Sequence, residues 1–303
     1  MFKESFVLKS DVHSISGKLL IKKNEPFDFS KLEDICNKAS GALLKVKLKE
    51  TFVLKDIFIL AKKEPYDDFC KKVGEDNLLK LIGEVSLPVA ILEEYRFMRI
   101  KDEYTYKHCL NTSMLSAAMA MQFFDDRQKV FQVTSSSFTH DIGKSRIPSR
   151  IIHAHMPLTD AEFELIKEHS IYGGVLCSYY LGDPYCHNAI ASFQHHEKKN
   201  GKGYPMGIHL KDEDVMFIVV ADIFDALISK RPYRNEPYDV RGAIDILCQS
   251  VEQGEVDHEK LKMLIHLNRK NPPALEEITY SKIYRGFYPK VNYYGLRKGF
   301  YSA

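Results

Sequence analysis

The stretch Thr139-His140-Asp141-Ile142-Gly143-Lys144 places a histidine beside a carboxylate, with a cation three residues after the carboxylate. An imidazole nitrogen and a carboxylate oxygen together suit a divalent metal, and the carboxylate can also bridge to a second metal. The pair alone is weak evidence, because the chain contains 12 histidines. Its meaning depends on the other histidines and carboxylates of the chain.

Further metal-binding side chains fall in segments whose patterns predict helices or helix ends. They are His108, His169, His195, His196 and Asp222. On a helix, His195 and His196 would lie about 100° apart and reach neighbouring points on one cavity wall, which suits two metals. Asp222 and Asp225 share one face of an otherwise apolar helix, where an unpaired charge would be very costly. Together these residues predict a metal site built from separate helices.

The composition favours an ordinary globular protein over a polyanion-binding or membrane protein. At 303 residues and 45% hydrophobic, the chain can form about two domains. The net charge of +2 gives no reason to expect a nucleic acid polymer as partner. Six cysteines without a Cys-x-x-Cys pair suit reduced thiols in the cytoplasm, and no apolar run predicts a membrane helix. We therefore expect a cytoplasmic protein without a membrane partner.

Residues 1–95 mix strand and helix patterns. Residues 5–9 (Ser-Phe-Val-Leu-Lys) and 51–55 (Thr-Phe-Val-Leu-Lys) are near copies that both predict short strands, and residues 17–21 predict another. A Ser-x-x-Glu capping box at Ser30 predicts the start of a helix. The segment contains neither a phosphate-binding glycine loop nor a cluster of metal-binding residues. We expect a smaller α+β accessory or regulatory domain.

The rest of the chain is predicted to be helical, with loops marked by glycine and proline. The predicted helices cover residues 106–124, 127–139, 160–169, 171–181, 184–195, 215–229, 239–253 and 258–268. We expect an all-helical domain over 96–255 and a helical and aromatic extension over 256–303 that packs on it. The predicted fold class is therefore mainly α, with the α+β domain preceding the helical one.

Five motifs follow one another between residues 100 and 255. They are Tyr104–His108; His140–Lys144 with Ile147-Pro148; Pro157–Thr159 leading to His169; His195–Pro205; and Asp222–Leu227 leading to Arg231–Arg234. In this order they resemble the HD-GYP family, a branch of the HD-domain metal-dependent phosphohydrolases. The resemblance implies hydrolysis of cyclic di-GMP, a bacterial second messenger.

The resemblance also implies roles for individual residues. Its metal ligands correspond to His108, His140, Asp141, His169, His195, His196 and Asp222. Asp141 would bridge two metals, Lys144 would lie near the scissile phosphate, and Arg231 with Arg234 would hold phosphates of the ligand. Tyr204, in the signature loop Gly203-Tyr204-Pro205, would stack on a guanine or pack the loop. The implied metals are iron or manganese, although these ligand types also allow zinc.

Two positions depart from the family pattern. Some members carry a glutamate where this chain has Tyr104, and the resemblance links that glutamate to a third metal. We therefore expect two metals, with Glu103 one residue out of place. Many members carry aspartate where this chain has Asn200, a change that a turn before Gly201 should tolerate.

The resemblance implies a phosphodiesterase that hydrolyses cyclic di-GMP to linear pGpG, with GMP as a further product left open. Two metals bridged by Asp141 would activate a water, and Lys144 would neutralise charge on the phosphoryl oxygens. Two alternatives remain: a cyclic di-GMP receptor with little turnover, and a phosphohydrolase acting on another cyclic dinucleotide. The complete ligand set favours catalysis. Residues 1–95 would serve a homodimer contact or a signalling partner.

Overall fold

The computed structural model describes residues 5–37, 44–232, 234, 236–279, 285–290 and 292, and every structural statement below concerns these residues. Their strands are β1 (Phe6–Val7), β2 (Val12–His13), β3 (Leu19–Ile21), β4 (Pro26–Phe27), β5 (Lys45–Lys47) and β6 (Ser86–Pro88). Their helices are α1 (Phe29–Asn37), α2 (Phe52–Leu60), α3 (Tyr66–Val73), α4 (Glu75–Glu84), α5 (Val89–Lys101), α6 (Glu103–Phe123), α7 (Arg127–Ser137), α8 (Ser149–Ile152), α9 (Asp160–Lys167), α10 (His169–Leu181), α11 (His187–Gln194), α12 (Glu213–Ile228), α13 (Val240–Glu252) and α14 (His258–Asn268). The prediction of a mainly helical fold after a small α+β region is confirmed.

The strands form three antiparallel pairs, β1 with β4, β2 with β3, and β5 with β6. Of the two near-identical pentapeptides, residues 5–9 contain β1 as predicted, but residues 51–55 begin helix α2. The Thr51 hydroxyl accepts the Val53 amide at 3.2 Å and so caps that helix. Val53 and Ile57, one helical turn apart, are both buried. The strand prediction for 51–55 is wrong because the apolar run continues at helical spacing.

The first turn of α1 corrects the predicted capping box. The helix begins at Phe29, so Ser30 lies inside it. Asp28 Oδ1 accepts the Lys31 amide at 3.1 Å and the Ser30 hydroxyl at 2.6 Å. Asp28 supplies the cap because its carboxylate is already placed before the first turn.

The predicted helices of residues 103–268 are present, and α14 has the predicted bounds. The capping box of Thr159 and Glu162 starts α9. Pro184 does not start a helix, because the Asp183 carboxylate accepts the Tyr185 amide at 2.8 Å and forms a turn. Helix α11 therefore begins only at His187.

The N-terminal region and the helical region share one continuous apolar core, which extends from Phe6 to Ile278. Helix α1 packs on α10, and helices α2, α3 and α4 pack on α6. The Tyr180 hydroxyl joins the two regions: it accepts the Ile15 amide at 2.7 Å and donates to Glu94 at 2.7 Å. A domain boundary near residue 95 stays a prediction.

The described part of the C-terminal extension contacts the helical region. Helix α14 packs against α6, α12 and α13. The amides of Arg285 and Gly286 donate to the Asp245 carboxylate on α13, at 2.8 and 3.0 Å. Residues 280–284, 291 and 293–303 of the predicted extension lie outside the described residues. Within the described part of the chain, no helix combines the length and apolar character needed to cross a membrane.

Candidate metal centre

The fold gathers histidines and aspartates from five segments of the helical region. They are His108 in α6, His140 and Asp141 in the turn after α7, His169 at the start of α10, His195 and His196 at the end of α11, and Asp222 in α12. They form two groups, each with one candidate ligand atom per residue, and all atoms of a group lie within 4.8 Å of one another. One group is Asp141, His169, His195 and His196, and the other is His108, His140, Asp141 and Asp222. Asp141 belongs to both groups.

His195 and His196 both belong to one group, whereas the sequence predicts two neighbouring points on one cavity wall, suited to two metals. Helix α11 ends at Gln194, and His195 is its C-cap residue. His196 follows beyond the helix, so a rotation of about 100° per residue no longer describes the pair. Their ring centroids are 4.1 Å apart.

The His140-Asp141 turn is fixed against two helices. The Ser192 hydroxyl on α11 donates to the Thr139 carbonyl oxygen at 2.7 Å. Gly143 lies directly against the first turn of α10, where a Cβ atom would overlap the carbonyl oxygen of His169 and the amide nitrogen of Gly173. Glycine is therefore required at the third position after His140 so that the turn can approach the His169 backbone.

We expect Gly143→Ala to destabilise the fold by about 1–3 kcal/mol, because the added methyl group forces the turn away from α10. The free energy of unfolding, measured by urea denaturation, checks this. Gly83→Ala is the matched control, since its methyl group would meet side-chain atoms at 3.3 Å and no closer backbone. Equal losses in the two variants would contradict the packing role of Gly143.

Three histidines are held in one tautomer. The Nδ1 atoms of His140, His169 and His195 each lie near the carbonyl oxygen three residues earlier, at 2.8, 2.6 and 2.9 Å. A carbonyl only accepts, so Nδ1 carries the hydrogen. In the neutral ring, Nε2 then carries a lone pair, and this lone pair is directed into the cluster. This is the arrangement in which backbone contacts orient metal-binding histidines.

The cluster brings several imidazole nitrogens and a carboxylate oxygen within 3.1–3.2 Å of His169 Nε2. His169 Nε2 lies 3.2 Å from His195 Nε2, 3.1 Å from His196 Nε2 and 3.2 Å from Asp141 Oδ1. Among the described residues, His140 Nε2 and Asp141 Oδ1 are buried without a hydrogen-bond partner. Buried polar atoms without partners are costly, and a divalent cation would bind these lone pairs. The donor set therefore fits a metal centre.

The pKa shifts of these residues also favour metal binding. Burial lowers the pKa of His140 to about 4. Burial, His195 and His169 lower the pKa of His196. Burial raises the pKa of Asp141, but Lys144 and the neighbouring histidines outweigh it and lower that pKa below its usual range. Neutral imidazoles and an ionised carboxylate are the forms that bind metals.

His108 lies between carboxylates on both sides of its ring. Its Nε2 is 2.8 Å from Asp222 Oδ1 and 3.5 Å from Asp141 Oδ2, and its Nδ1 is 2.6 Å from Asp225 Oδ2. Asp222 thus lies on the cluster side, while Asp225 holds the ring from behind. The sequence showed that the two aspartates share a face, but it did not assign Asp225 a role.

The substrate-binding residues implied by the sequence differ in how closely they approach the cluster. Lys144 Nζ lies 2.5 Å from Asp141 Oδ2. Burial lowers the pKa of Lys144, but the carboxylates of Asp141 and Asp222 outweigh it and raise that pKa. Arg231 lies near the cluster, with a guanidinium nitrogen 3.9 Å from Asp225 Oδ2. The Tyr204 ring stacks on His196, with centroids 4.6 Å apart.

The structure does not bring Arg234 into this set. Its side chain is buried, and one guanidinium nitrogen donates to the carbonyl oxygens of Ala226, Leu227 and Ser229 at 2.7, 2.6 and 2.8 Å. These are carbonyls at the C-terminal end of α12, which have no partners within the helix. Arg234 therefore caps α12, which is not the placement expected for a phosphate-binding residue.

Glu197 holds the signature loop, and sequence reasoning missed it. This buried carboxylate accepts the amides of Met206, Gly207 and Ile208 at 2.6, 3.1 and 3.0 Å. At the other end of the loop, a Cβ atom on Gly203 would overlap the His196 carbonyl oxygen. The available signal was a carboxylate directly after two candidate ligands.

We expect Glu197→Gln to lower the free energy of unfolding by about 1–3 kcal/mol, because an amide nitrogen cannot accept the loop amides. Chemical denaturation measures the change. The control is Glu103→Gln, which alters an exposed glutamate paired with Lys107 at 2.7 Å. A loss no greater than in the control would contradict the clamping role.

The two departures from the family pattern lie outside the cluster. Glu103 is exposed and Tyr104 about half exposed, and neither belongs to the two groups found in the described residues. Asn200 Oδ1 accepts the Lys202 amide at 3.0 Å, and its Nδ2 donates to the Gln253 carbonyl oxygen at 3.0 Å. Asn200 thus forms the turn before Gly201, and its second contact requires a donor that aspartate lacks.

Comparison with known proteins agrees with this geometry. The model of the HD domain family matches residues 94–259, more than half of the chain. A cyclic di-GMP phosphodiesterase of Thermotoga maritima is 32% identical over 163 residues, which cover 53% of this chain and 42% of that protein. A cyclic di-GMP phosphodiesterase of Pseudomonas aeruginosa is 33% identical over 168 residues, covering 51% and 38%. A 3'3'-cGAMP-specific phosphodiesterase of Vibrio cholerae is 27% identical over 171 residues, covering 54% and 38%.

The chain thus spans between 38% and 42% of the lengths of these three relatives. A solved HDG"Y"P protein of Bdellovibrio bacteriovorus aligns over 88% of this chain and 94% of its own, at 16% identity and a TM-score of 0.44. The domain match and the ordered His-Asp and Gly-Tyr-Pro motifs lead to one assignment. The chain belongs to the HD-domain family, in its HD-GYP branch.

Proposed function

We propose that this chain is a metal-dependent phosphodiesterase that hydrolyses cyclic di-GMP to linear pGpG. The observation that carries the proposal is Asp141, which belongs to both candidate metal groups and pairs with Lys144. Two relatives named as cyclic di-GMP phosphodiesterases, matching about half of this chain, support the substrate. The proposed location is the cytoplasm. Residues 1–95 are the proposed contact surface for a second copy of the chain or for a signalling partner.

The seven residues of the two groups would hold two iron or manganese ions, and Asp141, which belongs to both groups, would be shared between them. When bound, the ions would supply Lewis acidity toward the phosphodiester and lower the pKa of the attacking water. The protein orients its own ligands through backbone carbonyls behind His140, His169 and His195. These contacts direct the Nε2 atoms of the three rings toward the cluster.

Lys144, Arg231 and Tyr204 are the proposed substrate contacts. The Lys144 ammonium lies on Asp141 and its side chain is 20% exposed, so it can neutralise charge on a phosphoryl oxygen. Arg231 offers a planar guanidinium suited to phosphate. Tyr204 lies beside the candidate metal ligands because its ring stacks on His196. Because Arg234 caps α12, Arg231 is the arginine we assign to the ligand.

A second candidate substrate is 3'3'-cGAMP, since proteins of Vibrio cholerae named for that activity are also relatives of this chain. It differs from cyclic di-GMP in one base, so the same metals and cations would serve it. The difference would therefore lie in the base contacts.

The test is to load the chain with Mn²⁺ under anaerobic conditions and incubate it separately with cyclic di-GMP and 3'3'-cGAMP. Products are followed by chromatography, with a chelator-treated sample as control. We expect metal-dependent formation of pGpG. Turnover of 3'3'-cGAMP alone would favour the second candidate, and binding of cyclic di-GMP without turnover would show a receptor.

A further inference from the structure

Asp225 links the candidate metal centre to a residue outside the matched family domain. The carboxylate is fully buried on α12, and its Oδ2 accepts from His108 Nδ1 at 2.6 Å and from the Ser229 hydroxyl at 3.3 Å. Its other oxygen, Oδ1, accepts the hydroxyl of Tyr66. Tyr66 lies 159 positions earlier in the chain, before the family match begins at residue 94.

Helix α3 holds the Tyr66 hydroxyl in place. Tyr66 is its first residue and is buried. One turn later the Phe69 ring meets Phe224 of α12 edge-on, with centroids 5.9 Å apart. Cys70 Sγ lies 3.5 Å from Met114 Sδ of α6. Helix α3 therefore packs on both helices that carry the His108 and Asp225 side chains, and its tyrosine reaches between them.

We propose that Tyr66 is a positioning residue for the metal centre, acting through Asp225 on His108. The hydroxyl fixes the orientation of the carboxylate, and the carboxylate fixes the ring of His108 and keeps its hydrogen on Nδ1. His108 Nε2 is then directed toward Asp222 and Asp141. Partners behind a metal-binding histidine affect metal affinity almost as strongly as the ligands themselves.

The consequence is that the N-terminal region completes the metal centre. A movement of α3 changes how firmly His108 is held, without moving any ligand directly. This inference rests on the proposed metal ligands. It assigns a role that the family domain alone lacks, because Tyr66 lies outside the residues that the family model matches.

The test compares Mn²⁺ binding to the full metal-stripped chain and to Tyr66→Phe, followed by the electron paramagnetic resonance signal of free Mn²⁺. Only one of the two groups contains His108. We therefore expect one site to bind about 10-fold more weakly in Tyr66→Phe while the other is unchanged. Tyr180→Phe is the matched control, because it removes a buried tyrosine hydroxyl from another carboxylate, Glu94, and should leave both sites unchanged.

Asp225→Asn provides a second, independent variant. We expect it to weaken the same site by about 100-fold, with no further effect when Tyr66→Phe is added, because the hydroxyl acts through the carboxylate. Thermal unfolding midpoints show that each variant is folded. Unchanged affinity at both sites in Tyr66→Phe or in Asp225→Asn, or equal weakening of both sites, would overturn the proposal. No Mn²⁺ binding by the unmodified chain would instead overturn the metal centre itself.

Discussion

Replacing Asp141 by asparagine is expected to remove both metals and abolish hydrolysis. Asp141 is the residue that the two groups share, and its ionised oxygens face the ligands of both. Asparagine keeps the shape but replaces the charged carboxylate by a neutral oxygen and an NH2 group, which only donates and cannot bind a cation. We expect metal affinity to fall by more than about 100-fold, which is the upper range for the loss of a supporting partner. Elemental analysis of the purified variant measures the metal content.

Asp245→Asn is the matched control for this experiment. Asp245 is also a buried helical aspartate, but it pairs with Arg241 at 3.0 Å and belongs to neither group. We expect this variant to keep both metals and its activity. Retention of two metals by Asp141→Asn would show that the carboxylate is not shared between them.

Lys144→Met is expected to lower kcat by about 100-fold or more while the metals remain bound. The ammonium lies beside the shared carboxylate but is not a metal ligand, so its removal costs transition-state charge stabilisation. Steady-state kinetics and elemental analysis on the same sample separate the two effects. Because methionine keeps the length of the side chain, packing should change little.

Lys199→Met is the matched control, since Lys199 makes an ion pair of the same length, 2.5 Å, with Asp257. We expect it to leave kcat unchanged. An unaltered kcat in Lys144→Met would remove Lys144 from the catalytic set, and a loss of metals would assign it a structural role.

The helical region could be predicted from sequence because its helices carry local signals. Capping residues, glycine and proline breaks, and apolar spacing act within a few residues. The N-terminal region was harder to predict, as its two near-identical pentapeptides show. In the first, Phe6 and Val7 pair with β4. In the second, Phe52 begins a helix, because the apolar run continues to Leu60 and Thr51 caps it. Whether the pentapeptide forms a strand or a helix therefore depends on neighbouring residues outside it.

The candidate ligand residues could be named from sequence because histidine and aspartate types in a fixed order are informative. The arrangement of these residues in space could not be predicted from sequence. The end of α11 at Gln194 places His195 and His196 in one group, and Arg234 turns inward to cap α12. Both outcomes depend on where a helix stops, which is the least certain feature of a sequence pattern.

The contacts behind the ligands could not be predicted at all. Asp225 meets Tyr66 across 159 positions, and Glu197 clamps backbone amides that carry no side-chain signal. Such contacts follow from how helices pack together, and periodicity does not encode the partner. The Tyr66–Asp225 contact depends on the packing of α3 against α6 and α12.

The central claim is that two metals flank Asp141. Anomalous X-ray diffraction from crystals of anaerobically purified protein, collected at the iron and manganese absorption edges, tests it most directly. We expect two anomalous peaks, one beside His169, His195 and His196 and the other beside His108, His140 and Asp222, each bordering Asp141. No peak at these residues, or a single peak that does not border Asp141, would contradict it.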